Sequence, residues 1–131
     1  MSRCLILVKY SLEDTQICED NSKNIDSIDI SDEMINDLEL SKVIDRICVF
    51  EESGGVSYET EVIANPSIRD IIKKCEELAV IYCSEIHKGV VNDKDRNDTF
   101  EKLTVLLNIR RILRKKQIKF KNDDSVYIVW G

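Results

Sequence analysis

The sequence predicts an α+β domain in which a mostly antiparallel sheet packs on two long antiparallel helices and a shorter one. Three observations carry that reading. Apolar residues recur at helical spacing through 66–88 and again through 98–116. Residues 56–63 alternate with a period of two beside the pair Gly54-Gly55. Short apolar runs rich in β-branched and aromatic residues stand near both ends, at 3–10 and 125–130. A length of 131 residues fits one domain, 1–131, large enough to bury a core without disulfides or metals.

The apolar run within residues 3–10 is too short for a secretory core or a membrane span and reads as a buried strand. Residues 11–30 change character: Asp, Glu, Asn and Ser dominate, broken by Ile17, Ile25, Ile28 and Ile30. That composition predicts an acidic loop or weakly ordered segment. Ser31-Asp32-Glu33 resembles a helix start, with a hydroxyl cap and acids facing the positive end of the dipole. It opens a short helix over 32–45. Strands near 47–52 and 56–63 flank Ser53-Gly54-Gly55 and make a hairpin.

Asn65-Pro66 then starts a helix over 66–88, with Asn as cap and Pro in the first turn. Its apolar positions run nearly all round, which predicts a deeply buried helix. Gly89 is a natural stop. Asp98 with Glu101 forms a variant capping box for a helix over 98–116, bearing Phe100, Leu103, Leu106, Leu107, Ile109 and Leu113. The tail alternates again, giving strands near 117–121 and 125–130 around Asn122-Asp123-Asp124.

The net charge of −6 is unevenly spread. Residues 1–61 hold 5 Lys/Arg against 15 Asp/Glu, a net of −10, and residues 62–131 hold 14 against 10, a net of +4. An acidic total disfavours general nucleic-acid binding, because phosphate contacts need a positive field. Five scattered cysteines, without a close CxxC pair, read as free thiols in a cytoplasmic protein. No membrane association is expected.

Few residues suggest chemistry. Cys83 and His87 stand four apart on a helix and share a face, but zinc needs three or four ligands and His87 is the only histidine. The pair reads as a small core thiol and a helix-end imidazole. The acids near 26–39 lack the alternation and glycine of a calcium loop. Phosphate-cradling glycines and a nucleophile elbow are absent. No metal site, cofactor or catalytic set is expected.

Two charged clusters remain. Residues 13–39 carry ten acids and only one lysine, Lys23. The expected partner contacts there are Asp26, Asp29, Asp32, Glu33 and Asp37. The leading reading is a non-enzymatic protein-binding module, such as an inhibitor or immunity-type antitoxin that caps a basic effector, for instance a nuclease. Residues 110–121 hold seven cations and no acid. The alternative is nucleic-acid binding through Arg110, Arg111, Arg114, Lys115 and Lys116, although cations also suit a helix C-terminus. A self-assembling structural or accessory subunit, acidic half against basic half, is the third reading.

Overall fold

The computed structural model describes residues 3–13, 15–51, 55–88 and 93–131. Its five strands are β1 (Arg3–Glu13), β2 (Gln16–Ile30), β3 (Ile44–Phe50), β4 (Ser57–Ile63) and β5 (Val126–Trp130). β1 is the hub of the sheet. It pairs antiparallel with β2 along its whole length and with β5 from Leu5↔Trp130 to Lys9↔Val126. β3 and β4 form the expected hairpin, in register from Ile44↔Ile63 to Phe50↔Ser57. The predicted turn at Ser53-Gly54 lies outside the described residues. β4 meets β5 at Val62↔Val129, and the sheet curls until β2 touches β3 in parallel at Cys18↔Phe50, closing a small barrel.

Side-chain alternation divides the interior in two. On one face of the sheet Leu5, Leu7, Ile63, Ile128 and Trp130 join the main core with the helices. On the other, Val8, Tyr10 and Val49 form a second core with Ile6, Ile47, Tyr127 and Val129. The α+β class is therefore as the sequence predicts.

The stretch 11–30 is not a loop. Nearly all of it is strand: the end of β1 followed by the 15 residues of β2. Local composition misleads because pairing with β1 supplies backbone hydrogen bonds that acidic residues do not forbid. Ile25 and Ile28 pack on the main core and Ile30 belongs to it, while most of the polar residues face out. The irregularity is absorbed by two register shifts. At the second, the Ser11 hydroxyl bonds to the carbonyls of Cys18 and Asp20, and Asn21 takes a left-handed φ of 60°.

The helices depart from expectation at their ends. The helix expected over 32–45 splits into α1 (Asp32–Asp37) and a 3-10 turn at Leu40–Val43, because Glu39 between them adopts φ 54°. The Ser31 cap is as read: its hydroxyl accepts from the Met34 amide. α2 (Ile68–Lys88) follows a 3-10 turn at Asn65–Ser67, where Ala64, and not Asn65, is the capping residue. The stop expected at Gly89 lies outside the described residues. α3 (Asp93–Arg114) begins five residues before Asp98, so Asp98 is inside the helix and the capping box is not used. The strand expected at 117–121 is instead one turn of π-helix, Lys115–Lys119, extending α3.

That last turn holds a buried lysine. Lys116 is 5% exposed. Its ammonium donates to the carbonyls of Phe120 at 3.1 Å and Asp123 at 3.0 Å. A side chain read from sequence as a cation of the last helical turn is thus an internal clamp on the turn that leads into β5.

Candidate functional site

The expected acidic rim is largely consumed inside the molecule. Asp26 sits at the first register shift of β2 and accepts from Arg111 through two nitrogens, both at 3.1 Å, and from Lys115 at 2.8 Å. Its side chain is 15% exposed. Desolvation pushes its carboxyl up, but the hydrogen bonds and charges of Lys115 and Arg111 outweigh it and hold the pKa below the usual range. Glu33 pairs with Lys102 of α3 at 2.7 Å. Asp37 accepts from the Tyr82 hydroxyl of α2 at 3.3 Å, and Asp29 from the Cys4 thiol at 2.8 Å. Glu39, absent from the expected set, pairs with Lys74 of α2. Asp32 lines a cavity of about 560 Å³ with Arg3, Arg46, Glu61 and Trp130, where two cations face two acids. Asp26, Glu33, Asp37 and Glu39 thus form a seam against the helices more than an open face.

The basic cluster is divided in the same way. Arg110 donates from Nε and a terminal nitrogen to Glu76 of α2 at 3.0 and 2.9 Å. Arg111 and Lys115 hold Asp26, and Lys116 is buried, which removes it from the expected nucleic-acid face. Arg114 and Lys119 have no ion pair among the described residues; Lys119 lies over the Phe120 ring at 5.6 Å.

What the sequence did not distinguish is which apolar residues stay uncovered. Helix α2 is not buried all round: Val80 is 69% and Ile81 50% exposed. On α3, Phe100 and Leu107 are about half exposed, and Ile118 on the π turn is 62% exposed. Phe100, Leu107 and Ile118 are spaced by 7 and 11 residues, multiples of the helical repeat, and lie opposite the buried Ile109 and Leu113. Helical periodicity finds Phe100 and Leu107 as apolar positions of the helix, while Ile118 reads from sequence as part of a strand.

Around this stripe lie two adjoining cavities. One, of about 450 Å³, is lined by Leu107 and Ile118 together with five cations of α3 and the π turn. The other, of about 520 Å³, carries Leu12 at the end of β1 and shares Ile118 and Lys119 with the first. The pair makes one track that runs from α3 round the π turn to β1, aliphatic along its floor and cationic beside α3, with Lys121, Asp123 and Asp124 of mixed charge at its β1 end.

Among the described residues, no catalytic or metal-binding cluster is brought together. Cys83 and His87 are both exposed on α2, so Cys83 is not the core thiol expected of it. No group of three or more potential metal ligands occurs among the described residues. Cys75 is buried, and burial pushes its thiol up to about 12, leaving it protonated and inert. No helix among the described residues is long and apolar enough to cross a membrane. In comparisons with known proteins, no family model, curated protein or solved structure matches the chain. The functional reading therefore rests on the geometry.

Proposed function

We propose that this chain is a non-enzymatic protein-binding module and that the face of α3 and the π turn is its contact surface. The observation that carries the reading is the track through Leu107, Ile118 and Leu12, each about half exposed or more. Contiguous exposed aliphatic surface rimmed by charge is what binding faces carry and what solvated faces avoid. The five cysteines are free thiols, with Cys48 and Cys83 exposed, which supports placement in the cytoplasm.

The version in which an acidic rim caps a basic effector has weaker support. Asp26, Glu33 and Asp37 already spend their carboxylates on Arg111, Lys115, Lys102 and Tyr82. An inhibitor or immunity role stays compatible with this reading, through a different face. Nucleic-acid binding has one of its five cations, Arg114, left without an acid partner or burial constraint, and an opposing net charge of −6.

Affinity capture from native extract, with and without nuclease, tests the reading. Wild type is expected to retain a stoichiometric protein that survives nuclease and is lost from the Leu107→Asp/Ile118→Asp variant. Recovery of nucleic acid, or of the same protein by both forms, contradicts it.

A further inference from the structure

Resting on the protein-binding reading, we infer that the track accepts an acidic amphipathic helix from another protein. The cavity bearing Leu107 and Ile118 is lined by five cations and no acid. Asp26 engages Arg111 and Lys115, and Glu76 engages Arg110. Two internal carboxylates thus face five cations, and the local excess is positive on a chain whose total is −6. A partner with carboxylates beside its apolar stripe meets that excess directly. A basic one would meet like charge at the edges of the contact, where repulsion excludes wrong partners.

The shape favours a helix. Leu107 and Ile118 stand eleven residues apart on one face of a continuous helical element, roughly 16 Å along its axis. A partner helix of about three turns presents apolar residues over that distance and carboxylates on both flanks. The floor is aliphatic: Leu107, Ile118 and Leu12 offer nothing to a phosphate backbone, and Phe120, the aromatic of the track, is already covered by Lys119. A second copy of this chain is a poor occupant, because Asp26, Glu33, Asp37 and Glu39 of its acidic segment are bonded to its own helical residues.

The test uses three probes on the intact isotope-labelled protein, followed by amide chemical-shift changes. The first is a synthetic helix of about 18 residues with leucines at i, i+3, i+4 and i+7 and glutamates elsewhere. The second replaces every glutamate with lysine, and the third is a single-stranded oligonucleotide of matched charge. The glutamate helix is expected to shift residues 107–121 and Leu12, and the other two are not. Ile118→Asp should abolish the effect. Arg114→Glu/Lys119→Glu should weaken binding about tenfold or more while transferring preference to the lysine helix. Ile118 and Lys119 are exposed, Arg114 is half-buried, and none has an ion pair among the described residues, so the amide shifts away from the track report whether the fold is intact. Equal or stronger shifts from the lysine helix or the oligonucleotide, or none from the glutamate helix, overturn the inference. A protein captured from extract by wild type and by Arg114→Glu/Lys119→Glu alike also overturns it, yet leaves the protein-binding reading standing. Capture of no protein by wild type sinks both.

Discussion

Asp26 is one carboxylate answering two cations, and its replacement separates charge from packing. In Asp26→Asn the amide keeps the shape but loses the charge that Arg111 and Lys115 face. Because both cations are 39–46% exposed, water repays part of the loss. The expected cost at pH 7 is about 1–2 kcal/mol. The pH dependence has a definite sign. The folded pKa lies below the unfolded value of about 3.9, so the contribution is complete above that value and disappears as pH falls through the folded one. Urea unfolding of both proteins should show a gap at neutral pH that narrows below about pH 4. A gap that persists unchanged in acid would mean that packing, not charge, is responsible.

At the scale of elements, the connection from α3 to β5 depends on a single side chain. Lys116→Ala removes the donor to the Phe120 and Asp123 carbonyls and should cost about 2–4 kcal/mol. Faster hydrogen exchange should be confined to the π turn and the start of β5; protection unchanged there would refute the clamp. This turn also shows where sequence reading runs out. Ile118 and Phe120 interleaved with lysines look like a strand, and nothing local reveals that Lys116 points inward. The hairpin β3–β4 and the bodies of α2 and α3 were legible, because alternation and helical spacing are local properties of the chain. β2 was not, since its strand state comes from its long partner β1. Helix periodicity located Phe100 and Leu107 as apolar positions, but their exposure depends on what the sheet covers, a tertiary fact.

For the whole molecule, the charge asymmetry along the chain folds back on itself. The acidic stretch 26–39 is joined to α2 and α3 through Arg111, Lys115, Lys102, Lys74 and Tyr82. What the sequence presents as two opposed halves becomes an internal seam. That cancellation leaves an outer helical face whose character is set by uncovered aliphatic residues and the surplus cations beside them, Arg114 and Lys119. The sequence named Arg114 for a different purpose, and it named the acids that now lie in the seam.

The central claim is that this face binds protein. Site-specific photo-cross-linking in native extract tests it most directly, with p-benzoylphenylalanine in place of Ile118 and, as control, of Val56, which is 71% exposed beside the β3–β4 hairpin. The account predicts a discrete protein adduct from position 118 and none from position 56. Adducts only with nucleic acid, or the same pattern from both positions, would contradict it.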